Sequence, residues 1–345
     1  MKPPFKEIVF TMPGQAVLRE MDVASLDKIR GTPADVLIET EFSIASAGTE
    51  LACLAGTESW APLPFVPGYG SVGRVARCGS NGNSLPDTIK EGQRVFTFGK
   101  HAGMAKSHHI LAPVPENLDP AEATFARMAS VAITSVRVSE AELGDFVAVI
   151  GLGLVGNLAA QLFALSGCEV IGIDLSGKRR EQARACGIPH TFAPGADLRE
   201  RVAAITGGRM CGTVVDATGL TAVVVETAPT VCARFGEIIL LGSPRAAHTT
   251  NITPFLSQLH LCSPQATVKG ALEWRYPVSD DPLGFVKHSI ERNIDQILRL
   301  LADGRLKVKP LLTQIASPAD CQTVYGGLAN QKDTYTGVVY DWSKV

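Results

Sequence analysis

The spacing of apolar positions changes along this chain, and the change divides it. In the N-terminal third, apolar residues come in short bursts that alternate with polar ones. The stretches Asp35-Val-Leu-Ile-Glu-Thr-Glu-Phe-Ser-Ile, Ser71-Val-Gly-Arg-Val-Ala-Arg-Cys and Arg94-Val-Phe-Thr-Phe predict strands, with turns at Asn81-Gly-Asn and Glu91-Gly. A further strand is expected over 105–111, which puts His108 and His109 on opposite faces. From Glu122 to Ser139 the spacing turns helical. Phe146-Val-Ala-Val-Ile is then continuously apolar, as buried parallel strands are. A helix over 154–165, the strand Glu169-Val-Ile-Gly-Ile-Asp, a helix over 178–186 and the strand Gly212-Thr-Val-Val-Asp follow. A helix over 223–231 and strands over 236–242 and 266–271 complete this run. Strands alternating with helices predict a doubly wound parallel sheet. Toward the C-terminus, Phe285 to Asp303 predicts an amphipathic helix with Ile290, Ile294, Ile297, Leu298 and Leu301 on one face. A last strand is expected over 336–341. The fold class is α/β, a β-rich domain plus a doubly wound domain.

Composition narrows the picture. A chain of 345 residues fits two domains at about 100–200 residues each. With 46% hydrophobic and 19% charged residues, the chain can bury a large core, which excludes global disorder. The net charge of −2 gives no basic field, so neither nucleic acid nor an anionic membrane is expected as a partner. The eight cysteines are dispersed, with Cys168 and Cys186 the nearest pair in sequence. That excludes CxxC redox pairs and compact zinc knuckles, and points to a reduced, cytoplasmic compartment. The start of the chain lacks the apolar core of a signal peptide. The most apolar run, 146–165, is cut by Gly151, Gly153 and Gly156, so a soluble protein is expected.

Those glycines carry the clearest chemistry. Gly151-Leu-Gly-Leu-Val-Gly156 follows a predicted strand and opens a predicted helix, and the next strand ends in Asp174. This context is what makes GxGxxG specific for a dinucleotide. Gly151 allows the tight turn, Gly153 lets a pyrophosphate approach, and Gly156 lets helix and strand pack. Leu154 and Val155 lie at the helix N-terminus, where backbone N–H groups and the dipole favour phosphate. Asp174 can accept hydrogen bonds from both ribose hydroxyls and would repel a 2′-phosphate, which favours NAD over NADP. Lys178, Arg179 and Arg180 argue the other way unless they form the solvated start of a helix. Thr218, Gly242 and Ser243 follow the next two strands, where such sheets bind ligands.

Taken together, Ala47-Gly-Thr-Glu50, Val66-Pro-Gly-Tyr-Gly-Ser-Val-Gly73, Glu91-Gly-Gln-Arg-Val95 and the glycine motif resemble the medium-chain dehydrogenase/reductase superfamily over nearly the whole chain. The resemblance implies a GroES-like catalytic domain of residues 1–127 and 275–345 and a Rossmann domain of residues 128–274, with the active site in the cleft between them. It also implies a homo-oligomer joined through the edge strand over 266–271. Zinc-dependent members hold their metal with a Cys, the His of a Gly-His-Glu triplet, and a Cys or Glu before the nucleotide domain. Here those places hold Ala47, the triplet Gly68-Tyr69-Gly70, and Phe125-Ala-Arg-Met-Ala129. The four-cysteine structural zinc lobe is also missing. A site without these ligands is not expected to bind zinc. The Gly-Thr-Glu and Val-Pro-Gly-Tyr segments are most similar to a zinc-lacking branch that includes bacteriochlorophyllide a dehydrogenase and sugar- or cyclitol-type dehydrogenases.

Without a metal, side chains must manage the hydroxyl proton by general acid–base catalysis. Thr49 stands where relatives keep a proton-relay hydroxyl, and Tyr69 replaces a ligand. Lys100 and His101 sit in a loop, and His101 is the preferred base because imidazoles titrate near neutrality. Glu50 is placed to orient it. Each has a plainer alternative: a turn or helix cap for Thr49 and Glu50, a packed ring for Tyr69, an exposed loop for Lys100 and His101. His101, His108 and His109 are a second-rank metal set. Residues 273–276 either close a substrate pocket or cover a subunit interface. The favoured reading is an NAD-dependent, zinc-independent dehydrogenase of a secondary alcohol such as a sugar, cyclitol or related natural product, with Arg127 as a further polar contact. Its rivals are an NADPH-dependent enone or quinone reductase, and a non-catalytic nucleotide-binding protein on the same fold.

Overall fold

The run Phe146–Ile150 is buried along its whole length and lies inside a parallel sheet, as its unbroken apolar pattern requires. The computed structural model describes residues 4–22, 36–78, 89–107 and 110–345. The chain divides into two units, Met1–Arg127 with Val278–Gly304 and Leu311–Val345, and Met128–Pro277 with Arg305–Pro310. Residues 275–277 and 305–310 fall in the second unit, whereas the resemblance assigns both to the first.

The second unit is a six-stranded sheet among the described residues, all parallel. Its spatial order is His190–Phe192, Glu169–Ile173, Phe146–Ile150, Cys211–Asp216, Cys232–Leu240 and Thr267–Gly270. The order reverses beside Phe146–Ile150, the place where open α/β sheets bind ligands. One face is filled by Ile150, Ile171, Ile173, Val214 and Ile238, which are buried together. The helix Leu154–Leu165 begins immediately after the glycine loop. The predicted helix over 223–231 is one π-helical turn, Val223–Thr227, continued by Ala228–Val231.

The first unit carries a seven-stranded sheet among the described residues. Gly337–Asp341, from the C-terminal end, lies between Leu312–Ala316 and Leu37–Ile44, parallel to the former and antiparallel to the latter. This insertion brings Tyr340 and Trp342 beside residues hundreds of positions earlier, in a core that also holds Phe10, Cys53 and Tyr325. The helix Ile290–Ala302 packs Ile290, Ile294, Ile297, Leu298 and Leu301 inward, all buried. It begins at Ile290 and not at Phe285, because the Ser289 side chain accepts the Arg292 N–H and caps it there.

Three other expectations need correction. The helix foreseen over 122–139 is two, Pro120–Ala123 and Ala126–Val138, because Asp119 caps the first and the buried Phe125 turns the chain between them. The strand foreseen over 105–111 is not one strand. Met104–Lys106 pairs with Leu37–Ile44, and Leu111–Pro113 pairs with Arg94–Thr97. His108 and His109, with the turn at 81–83, lie outside the described residues. Finally, Ala47–Leu54 is a helix inside the β-rich region. Among the described residues no helix is long and apolar enough to cross a membrane.

Candidate active site

In the first unit, the helix Ala47–Leu54 presents Glu50 to the interior, where it is 1% exposed. A carboxylate at that depth needs donors. Tyr325 Oη donates to Glu50 Oε2 at 2.7 Å, and His101 Nε2 lies 3.2 Å from the same oxygen. His101 is itself fully buried, with Nδ1 2.8 Å from Ser43 Oγ, which also accepts from Trp342 Nε1 at 2.9 Å. The Tyr340 ring meets the imidazole edge-on, with centroids 5.0 Å apart. Burial raises the Tyr325 and Tyr340 phenols well above the ordinary range, and the nearby Glu50 charge adds to it.

Nearer the surface lies a second set. Tyr69, partly buried, donates from Oη to Ser46 Oγ, and the Thr49 hydroxyl is hydrogen-bonded to the same phenol. Burial pushes the Tyr69 phenol up, and the Arg127 guanidinium, then Ser46 and Thr49, pull it partly back. The Arg127 guanidinium carbon stands 4.7 Å from the Tyr69 ring centroid and 4.3 Å from that of Phe98. Lys100 keeps an exposed surface, and its ammonium rests 4.8 Å over the Phe65 ring. The surrounding protein lowers the Lys100 ammonium from its usual range, partly offset by Glu50 and Cys53. The loop holding Lys100 and His101 depends on Gly68. At φ +92° it is in the left-handed region, and a Cβ there would lie 2.5 Å from the His101 nitrogen.

The structure thus gathers Thr49, Glu50, Tyr69, Lys100 and His101 in one region of the first unit. It also alters two of the expected roles. His101 is not a base open to a substrate: both ring nitrogens face protein atoms, so any proton it exchanges passes through Ser43 or Glu50. Nor is Glu50 a cap or turn residue. Ser43, Ser46, Tyr325, Tyr340 and Trp342 were missed, and no local pattern marks them.

Tyr69 stands at one of the places where the resembled family keeps a ligand, and Arg127, from the stretch 125–129 at another, stacks on its ring. A phenol and a guanidinium are not among the thiolate, imidazole and carboxylate ligands that Zn²⁺ takes.

In the second unit the glycine loop fits a dinucleotide. Gly151 has φ +91°, and Gly156 approaches so closely that a Cβ on it would lie 1.8 Å from the Gly151 oxygen. Gly153 is the N-cap of the helix and has no side chain to fill the cap, so no side-chain acceptor from it takes the first-turn N–H groups, a kind of helix end that suits phosphate. The space where its Cβ would sit is open, with only Arg179 Nη1 near, at 3.9 Å. Asp174, 8% exposed, accepts from the Leu152 N–H at 2.7 Å and the Ser176 N–H at 2.8 Å, which pins it to the glycine loop. Thr218 and Gly219 are held by Asp216, and Gly242 packs so closely on Gly219 that a Cβ would lie 2.2 Å from its nitrogen. Ser243 follows in the same turn. The basic run is not merely solvated: Arg179 Nη1 is 3.8 Å from Asp174 Oδ2, and Arg180 Nη1 donates to the Asp174 and Leu175 carbonyls.

A parallel sheet with a glycine loop at its switch point is the arrangement in which open α/β folds bind dinucleotides. A family model described as zinc-binding dehydrogenase matches residues 155–276. An uncharacterized zinc-type alcohol dehydrogenase-like protein of Haemophilus influenzae is 26% identical over 277 residues, 71% of this chain and 78% of the relative. D-guloside 3-dehydrogenase of Shigella flexneri is 26% identical over 238 residues, 62% and 67%. Galactitol-1-phosphate dehydrogenase of Escherichia coli superposes with a TM-score of 0.80 at 17% identity, covering 97% of this chain and 99% of that one. The chain is thus similar to the zinc-binding dehydrogenase family over residues 155–276, and over a larger part of its length to proteins named as alcohol and sugar dehydrogenases.

Proposed function

We propose that this protein is a zinc-independent, NAD-dependent dehydrogenase of the zinc-lacking branch. Its substrate is a secondary alcohol on a sugar, cyclitol or related polyhydroxylated natural product. What supports this is the exchange at the ligand places of the resembled zinc enzymes, where this sequence has Ala47, Tyr69 and the stretch 125–129, together with the Arg127–Tyr69 stack and the buried Glu50–His101–Tyr325 cluster in the same unit.

When bound, NAD⁺ supplies the hydride acceptor. The chain's residues handle the proton. Tyr69 Oη and Thr49 Oγ1, already hydrogen-bonded, hold the substrate hydroxyl and pass its proton. Lys100, with its lowered ammonium, faces the developing alkoxide as a positive charge. Glu50 and His101 position this set from below, with Glu50 supplying the fixed negative charge opposite Lys100. In the second unit, Gly151, Gly153, Leu154, Val155 and Gly156 hold the pyrophosphate. Asp174 holds the adenosine ribose, and Thr218, Gly242 and Ser243 line the remainder. Such positioned groups supply rate factors of roughly 10²–10⁴. The expected assembly is a homo-oligomer through the edge strand Thr267–Gly270, in the cytoplasm.

Fluorescence titration with NADH and NADPH, followed by a polyol and sugar panel with NAD⁺, tests the reading. Tighter NADH binding with turnover of a secondary alcohol supports it. Preference for NADPH moves the enone-reductase reading forward, and NADH binding with no turnover favours a non-catalytic protein. Asp174→Asn removes the charge and keeps one acceptor oxygen, enough for either the Leu152 or the Ser176 N–H but not both, while Arg179 Nη1 lies 3.8 Å from the Asp174 carboxylate. The ratio of the two dissociation constants should then shift toward NADPH by at least about tenfold, the effect of one nearby like charge. An unchanged ratio would show that Asp174 does not select the cofactor.

A further inference from the structure

Arg127 is 3% exposed, and a buried guanidinium is costly unless something near it gains from the charge. Its carbon lies 4.7 Å from the centroid of one ring, Tyr69, and 4.3 Å from that of another, Phe98, within the range where a cation is attracted to an aromatic face. The chain makes room for it. A Cβ on Gly70 would lie 2.5 Å from Arg127 Cβ and 2.7 Å from Cγ, so the Arg127 stem occupies the volume that any side chain at 70 would take. Of the two rings, only Tyr69 carries a titratable group, and its hydroxyl is fixed by Ser46 and Thr49.

We infer that Arg127 is a positioning residue, the permanent cation that stabilises negative charge at the Tyr69 hydroxyl and so makes Tyr69 the group that exchanges a proton with the substrate. The inference rests on the dehydrogenase reading for the identity of that substrate, but the coupling between Arg127 and Tyr69 does not. In alcohol oxidation the hydroxyl proton leaves through the Tyr69–Thr49 pair while the carbon-bound hydrogen leaves as hydride to NAD⁺, giving a carbonyl compound, NADH and one proton. Negative charge passes through the phenol oxygen during this transfer, and the guanidinium favours it by Coulomb attraction in a setting of low polarisability. The direction agrees with the opposing influences on the phenol, where burial raises it and Arg127 is the strongest influence lowering it.

The test replaces Tyr69, in the full chain, by a fluorinated tyrosine whose phenol titrates well below ordinary tyrosine. Phenolate absorbance is then followed against pH. Arg127→Met and Arg127→Gln should each raise the midpoint by about one unit or more, a tenfold loss in acidity, and Arg127→Lys should restore part of it. The two neutral variants guard against one failing to fold, and thermal melting checks each. With ordinary Tyr69, the same substitutions should lower kcat more than they raise KM. A midpoint unmoved in a folded neutral variant overturns the inference. A shifted midpoint in a protein that turns over no alcohol leaves the coupling standing and overturns the dehydrogenase reading instead.

Discussion

Gly156→Ala is expected to abolish nucleotide binding, weakening NADH by more than about a hundredfold, and to lower the melting temperature as well. The added Cβ would lie 1.8 Å from the Gly151 oxygen and 2.9 Å from Ala217 Cβ, and neither is the end of a flexible side chain. The helix Leu154–Leu165 must move away from the strand, and the first-turn N–H groups proposed to hold the pyrophosphate move with it. Overpacking of this kind costs about 1–3 kcal/mol of stability. Gly153→Ala separates the two effects. Its φ is −62° and its nearest neighbour is 3.9 Å away, so the free protein should melt normally. Its methyl group then stands where the pyrophosphate must approach, and binding should still fall. Melting curves with NADH titrations check both variants. Normal binding by Gly156→Ala would remove the glycine loop from the cofactor site.

The second large effect is expected at Glu50. Glu50→Ala leaves His101 Nε2 and Tyr325 Oη without their acceptor inside a closed core. Each buried donor left without a partner costs about 1–3 kcal/mol, so with two of them a loss of about 2–6 kcal/mol is expected. Glu50→Gln keeps an acceptor oxygen and should fold with a smaller loss. It removes the negative charge that faces Lys100 and Tyr69, so turnover should still fall by about 10²-fold or more. Tyr325→Phe supplies the control. It removes one hydrogen bond to Glu50, should cost about 1 kcal/mol, and should leave turnover near normal. Urea melts beside steady-state rates on a responsive alcohol would separate these outcomes. Full activity in Glu50→Gln would assign Glu50 to the fold alone.

The parallel-sheet half was legible because its signals are local. The apolar strand, the glycines and the closing Asp174 fall within one short stretch, and Gly151 and Gly156 have steric reasons that the structure makes explicit. The polar cluster was legible only in part. Thr49, Glu50, Tyr69, Lys100 and His101 could be suspected from the emptied ligand places, but their partners arrive from far along the chain. Tyr325 and Trp342 reach Glu50 and Ser43 only because Gly337–Asp341 inserts beside Leu37–Ile44, and no periodicity in either segment announces that pairing. The short helix Ala47–Leu54 escaped for a related reason. Its Ala-Gly-Thr-Glu start has weak helical character alone, and burial of Glu50, Cys53 and Leu54 fixes it. His101 read as a loop residue because the sequence cannot show that Ser43 and Glu50 close over it.

In the proposed mechanism side chains take over the work of a metal. Turnover of a responsive polyol by protein dialysed against a strong chelator, with metal content determined on the same sample, tests this directly. The rate should be unchanged by chelation, with less than about one-tenth of an equivalent of zinc present and no gain when zinc is added back. A rate that falls with the chelator and returns in proportion to added zinc would contradict it.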